Sequence, residues 1–179
     1  MANQNLAKVI TGKVRFSYVH VFEPAAVSEG SDDKKFSVSI IISKDDKATI
    51  KKIEAAIEAA KQAGAIKWGG KIPKVLKLPL RDGDVERDEE CYENSFFLSA
   101  KSDRKPGIVD ANLDEIISRD EFYSGCYGRA SIVFYPFDSN GSKGIAVGLQ
   151  NLQKLEDGER LGGSSSTAAE DFGDGDDLA

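Results

Sequence analysis

Residues 123–138 and 144–152 carry the strongest alternation of apolar and polar positions in the chain, and the link between them contains Asn-Gly. Asn-Gly supplies the positive φ angles of a tight reversal, so the two runs predict a β-hairpin. Period-two spacing puts Cys126, Ala130, Ile132 and Phe134 on one face of the first run. This is the core face. Tyr127, Arg129, Ser131, Val133, Tyr135 and Phe137 take the other. On the return run Ile145, Val147 and Leu149 share a face, while Ala146 and Gly148 keep the opposite face low enough for a ligand backbone to approach. Rings interleaved with a cation are what stacking of unpaired bases requires. The same rings would equally serve as core of a sandwich, and periodicity does not choose between the two.

Upstream, residues 8–18 alternate Ile10, Val14 and Phe16 with Thr11, Lys13, Arg15 and Ser17, a strand with an apolar back and a basic front. The pattern continues to Pro24, where a missing N–H is expected to end regular pairing. After a polar loop over 25–34, residues 35–43 form the cleanest strand, with Phe36, Val38, Ile40 and Ile42 inward and Ser37 and Ser39 outward. Ser43 to Asp46 reads as a capping box for a helix reaching about Ala63. Its apolar stripe is Ile50, Ile53, Ile57 and Ala60, and Gly64 is the natural stop. Residues 94–101 predict a further strand, Phe96, Leu98 and Ala100 against Phe97, Ser99 and Lys101. A basic turn with Arg104 and Lys105 follows, and 112–122 reads as a turn or helical connection.

Charge changes the picture only when it is divided along the chain. The formal net charge is −6, from 24 basic and 30 acidic residues, but residues 161–179 hold five of the acids and no Lys or Arg. The first 160 residues therefore carry 24 basic against 25 acidic groups, so the acidic total does not argue against a nucleic-acid partner. The most basic stretch is 66–81, with Lys67, Lys71, Lys74, Lys77 and Arg81 around the sole tryptophan, Trp68, and no acid. Such a loop could clamp a phosphate backbone and stack a base on Trp68, or Trp68 could dock into the core beneath an ordinary surface loop.

Residues 82–90 are dense in acids, and Asp82, Asp84, Glu86 and Asp88 are the candidates for a metal-dependent nuclease. They lack calcium-loop spacing and read more simply as a solvated loop. A nucleophile triad or phosphate-cradling loop finds no support: His20 is the only histidine and no GxGxxG or P-loop spacing is present. Cys91 and Cys126 show no CxxC pairing, so neither zinc nor a disulfide framework is expected. Residues 1–8 are polar, and no apolar run approaches a bilayer span, which predicts a soluble, cytoplasmic protein without a membrane partner. No cofactor is expected, and the sequence leaves room for a homodimer.

Taken in order, 14–24, 35–43, 80–84, 105–110, 123–127 and 143–151 resemble a phage-encoded family of single-stranded DNA-binding proteins. The resemblance implies an elaborated OB-like antiparallel β-barrel, mainly β with one main helix, over residues 1–160. A mixed antiparallel sandwich is the second choice. It also implies a non-enzymatic role in phage DNA replication, recombination or repair. The helix follows the second clear strand, whereas a simple OB barrel places it between the third and fourth, so the topology must be an altered one. On this reading the DNA-contacting set is Arg15, Lys67, Trp68, Lys71, Lys74, Phe97, Lys101, Arg104, Lys105, Tyr127, Arg129, Tyr135 and Phe137, cations for phosphates and rings for bases. A protein-binding adaptor that offers the same aromatic face to partners is the remaining alternative.

Residues 161–179 read as a flexible Gly/Ser tether followed by acids, with Asp171, Asp174, Asp176 and Asp177 around the isolated apolar Phe172 and Leu178. The segment resembles the acidic tails with which single-strand binders recruit replication and recombination proteins, though it ends Leu-Ala rather than on an aromatic residue. A polyanion so placed could also compete with DNA for the protein's own groove, and a merely solubilising disordered tail is the plain alternative.

Overall fold

The computed structural model describes residues 7–26, 32–139 and 141–161. Along them run β1 (Lys8–Ile10), β2 (Val14–Ala26), β3 (Lys34–Ser43), helix α1 (Lys47–Gly64), β4 (Arg81–Asp82) and the single-turn α2 (Gly83–Glu86). A 3₁₀ turn (Glu90–Tyr92), β5 (Ser95–Ser102), β6 (Gly107–Val109), β7 (Tyr127–Ser139) and β8 (Ser142–Glu156) complete the described elements. The linker and acidic tail expected beyond residue 161 lie outside the described residues.

Pairing runs β1-β7-β2-β3-β5-β8-β6, with β4 on β5, and β7 pairs β8 as well. That last ladder joins the two arms of the sheet, so β2, β3, β5, β8 and β7 close into a ring. All neighbours in the ring are antiparallel except β5 and β8, which meet in parallel at Lys101 and Gly148. Closure satisfies backbone groups that an open sheet would leave at its edges. The architecture is mainly β with one main helix, and α1 enters between the second and third strands of the ring, as the order of the sequence patterns requires.

Most of the residues that alternation selected are buried, while Phe36 and Phe96, also assigned inward, are half-buried. Phe16, Val38, Ile40, Ile42, Leu98, Ala100, Cys126, Ala130, Ile132 and Phe134 form one buried cluster with Ile53, Ala56, Ile57 and Ala60 of α1. Phe122, from the connection before β7, packs its ring 5.0 Å from that of Phe16. The connection 112–122 is a series of turns with no helix; Asp110 organises it by accepting from the backbone N–H groups of Asn112 and Asp114.

Three local expectations are corrected. The run 8–18 is two strands, because Thr11 turns its hydroxyl inward to accept from the Ala130 N–H at 3.0 Å. That kink resets the parity, leaving Ile10 49% exposed while Val9 is buried. Pairing also survives Pro24: the ladder shifts register between His20 and Ala25 and resumes at Ala25 and Lys35. Ser39 faces outward as expected but is covered there, 5% exposed. The helix cap is Asp46, whose carboxylate accepts from the Thr49 N–H, whereas Ser43 accepts from the Asp45 N–H just outside the helix.

The largest departure concerns the basic loop. Trp68 is only 6% exposed and donates its indole N–H to the Phe137 carbonyl at 3.0 Å. It is an anchor, not a stacking platform. Farther along, the Lys77 N–H donates to the Lys143 carbonyl, and the Lys77 carbonyl accepts from the Ile145 N–H, stitching the loop to the start of β8. Trp68 emission should accordingly be blue-shifted and resist acrylamide quenching. Trp68→Phe, which strands the Phe137 carbonyl, should lower unfolding free energy by about 1–3 kcal/mol in a denaturant titration.

Candidate nucleic-acid interface

The outer faces of β3, β5, β7 and β8, with residues 78–81 along one side, enclose an open groove of about 700 Å³. Its lining includes Tyr135, Phe137, Phe97, Lys35, Lys101, Arg81 and Arg87. Tyr135 stands opposite Ala146 in the hairpin and is 45% exposed; its ring leans over Gly148, the space the missing side chain leaves. Phe137 stands opposite Gly144 and is half-buried. A Cβ at Gly144 would collide with the Lys77 carbonyl, so this glycine is what lets the basic loop close against the rim.

The cations around these rings are held differently. Lys101 is exposed and makes no ion pair among the described residues. Lys35 pairs with Asp103 at 3.2 Å, and that hydrogen bond, outweighing desolvation, pushes its pKa up. Arg81 lies 3.6 Å from Glu86. The guanidinium of Arg87 covers the Phe97 ring at 4.7 Å, with Tyr92 at the ring edge, 5.1 Å between centroids. Phe97 is thereby reduced to 2% exposure and is not offered to solvent as the alternation suggested.

A second hollow, about 730 Å³, lies beside β2 and is lined by Arg15, Tyr18, His20, Glu89, Glu90 and Arg160, among others. Arg15 donates to the carbonyls of Gly125 (3.1 Å) and Glu159 (2.8 Å) and makes no ion pair with a carboxylate among the described residues. Next to it the Tyr127 ring lies under Lys13 and Arg15, at 5.3 and 5.2 Å. Tyr127 is eight residues from Tyr135, about 26 Å along an extended strand, and a register shift between Ser131 and Ile132, where β8 carries the extra residue Gln150, interrupts the ladder between them. One continuous ring platform on β7 is therefore replaced by two separate ring-and-cation patches.

Of the remaining sequence candidates, Arg129 is exposed but donates its Nε–H to the Thr11 carbonyl at 2.9 Å. Lys67, Lys71 and Lys74 are exposed on the anchored loop. Arg104 and Lys105 sit at the turn after β5, Lys105 over the Phe22 ring at 5.3 Å, and do not line the groove. Sequence reasoning missed Lys35, Arg87 and Tyr18. Lys35 shares the outward parity of Ser37 and Ser39 and could have been found; Arg87 is a single cation inside an acidic run. Tyr18 adopts φ 48°, which no periodicity reveals.

Three of the four acids of the nuclease reading are engaged in ion pairs. Lys44 bridges Asp82 (2.8 Å) and Asp84 (2.7 Å), Asp82 caps α2, and Glu86 faces Arg81. Among the described residues no group of three or more His, Cys, Asp or Glu is placed to hold a metal. No helix among them is long and apolar enough to cross a membrane.

A family model described as Enterobacter phage Enc34, ssDNA-binding protein, matches residues 7–179. The chain belongs to this family. Putative protein p50 of Acyrthosiphon pisum secondary endosymbiont phage 1 is 32% identical over 177 residues, 93% of each chain. The solved single-stranded DNA-binding protein from bacteriophage Enc34, in complex with ssDNA, superposes with a TM-score of 0.77 at 26% identity, covering 87% of this chain and 90% of that one. The single-stranded DNA binding protein gp2.5 encoded by bacteriophage T7 matches at TM-score 0.61 and 12% identity, over 89% and 97% of the two chains, a likeness of fold.

Lys44 and the Asn94 N–H hold the Asp84 carboxyl below its ordinary range. A depressed folded-state pKa adds stability above the ordinary carboxylate range, and that stability is lost as pH falls through the depressed value. Asp84→Asn should therefore flatten the acid limb of the stability profile below about pH 4 and leave its slope near neutrality unchanged. Thermal melts across pH 2.5–7 measure this.

Proposed function

We propose that this protein binds single-stranded DNA without reading its sequence, and coats and protects it during phage DNA replication, recombination and repair in the host cytoplasm. The observation that carries the reading is the groove in which Tyr135 and Phe137 lie beside Lys101, Lys35 and Arg81. A π-face accepts any base and a cation accepts any phosphate, while the lining holds no Asn or Gln to read adenine edges. Membership of a family of non-catalytic single-strand binders supports the same reading, as does the ssDNA held by the Enc34 relative. Arg15, Tyr18 and Tyr127 form the second contact area.

The acidic end is assigned two roles: Asp171, Asp174, Asp176 and Asp177, with Phe172 and Leu178 as apolar anchors, recruit replication and recombination proteins and compete with DNA for the groove.

Titrating oligo(dT), followed by anisotropy at several salt concentrations, should give log affinity falling with log salt at about −0.7 per phosphate neutralised. Tyr135→Ala should cost about 1–3 kcal/mol, and Lys101→Ala should flatten the salt slope by about 0.7. Absence of any salt-sensitive binding would refute the reading and leave the adaptor role. Deleting residues 170–179 should tighten binding at low salt and make no difference at high salt, where the tail is screened.

A further inference from the structure

The two ring-and-cation hollows flank one short segment, residues 87–92, and the sheet beneath it is continuous. Tyr127, Arg15, Ile41, Phe97 and Arg81 are successive cross-strand partners on β7, β2, β3, β5 and β4, so they share the outer face. Ser17, Ser39 and Ser99 form the next row, Ser17 in one hollow and Ser99 in the other. The middle of this band is covered: Ile41 and Phe97 are 4% and 2% exposed beneath Arg87, Cys91 and Tyr92.

We propose that residues 87–92 are a hinged roof, and that a bound DNA strand displaces it to run from one hollow to the other and stack a base on Phe97. The inference rests on the reading of the groove as a DNA site. Three features separate this roof from ordinary core cover. Its hydrogen bonds are local, from the N–H groups of Arg87, Tyr92 and Glu93 to the carbonyls of Gly83, Glu89 and Glu90, and none reaches the sheet. The segments on either side are pinned, β4 to β5 and Asp84 to Lys44 and the Asn94 N–H. The roof is thus tied at both ends and rests on rings between.

The second feature is chemical. Phe97 is covered by a guanidinium, a group that gives up little when a base takes its place on the ring and it turns to a phosphate. Tyr92 supplies the third: its hydroxyl is buried and is the one buried side-chain polar atom without a hydrogen-bond partner among the described residues. Opening would wet that hydroxyl, so closure is opposed from within. Meanwhile Glu89 and Glu90 project into the hollow that holds Arg15 and Arg160, where a strand's phosphates would lie. Entry of DNA exchanges those carboxylates for phosphates.

The test uses the full-length chain and oligo(dT). Phe97→Leu keeps an apolar plug but removes the π-face, and it should weaken binding roughly 5- to 100-fold while its thermal melt shows a folded protein. In parallel, labelling of wild-type Cys91 by a small neutral thiol reagent should accelerate several-fold at saturating oligo(dT), with Cys126, 0% exposed, as the silent control. Affinity of Phe97→Leu equal to wild type, or Cys91 labelling that DNA leaves unchanged or slows, overturns the proposal. If wild type keeps salt-sensitive binding and Tyr135→Ala weakens it, the groove reading stands whichever way the roof is decided.

Discussion

The structure depends on one strand pair that must serve two neighbours at once. β7 bonds to β2 on one side and to β8 on the other, and β8 in turn reaches β5 in parallel. Closing the ring this way fills its interior with Ala130, Ile132 and Phe134, which sends every alternate residue outward by pleat geometry alone. Tyr135 and Phe137 therefore face outward because Phe134 is buried, Tyr135 exposed and Phe137 half-buried. The distance along β7 from Tyr127 to Tyr135, with the ladder interrupted at the β8 bulge opposite Ser131 and Ile132, separates the outward rings into two groups.

Period-two alternation made most of this legible. Every residue assigned inward on 126–134 and on the return strand is buried, and the helix stripe packs where its spacing put it. What escaped was anything set by a single backbone event. The inward turn of Thr11, the register shift past Pro24 and the left-handed Tyr18 each change parity or direction at one residue, and no window of hydrophobicity averages to such an event. Within the site the failures were of a different kind. Trp68 and Phe97 were identified correctly as large rings near cations, but whether a ring is covered depends on what lies above it. That is long-range information: Trp68 meets Phe137, and Phe97 meets Arg87.

The acidic run illustrates how composition and placement diverge. In the sequence it stands as a block of charge next to the basic loop, inviting either a metal or a solvated surface. In the fold its first two acids spend their charge on Lys44 and on backbone N–H groups, which raises the Lys44 pKa and depresses that of Asp84. Exposed pairs of this kind contribute little to global stability. Their effect is positional, since they fix where the chain leaves β4 and where it rejoins β5.

The same division explains how a chain with a formal net charge of −6 can carry a surface suited to a polyanion. Attraction over a Debye length of roughly 10 Å is set by the charges inside that radius, not by the sum over the molecule. Along the groove, Lys101 makes no ion pair among the described residues and Arg87 faces a ring, while at the second hollow Arg15 bonds to carbonyls. None of these three cations makes an ion pair with a carboxylate among the described residues. Of the acids that line the two hollows, Asp33, Asp103 and Glu159 belong to the body of the fold, while Glu89 and Glu90 sit on the segment 87–92, whose backbone N–H groups bond only locally. Lifting that segment, as proposed, takes two of these carboxylates away from the band and leaves its cations to the strand.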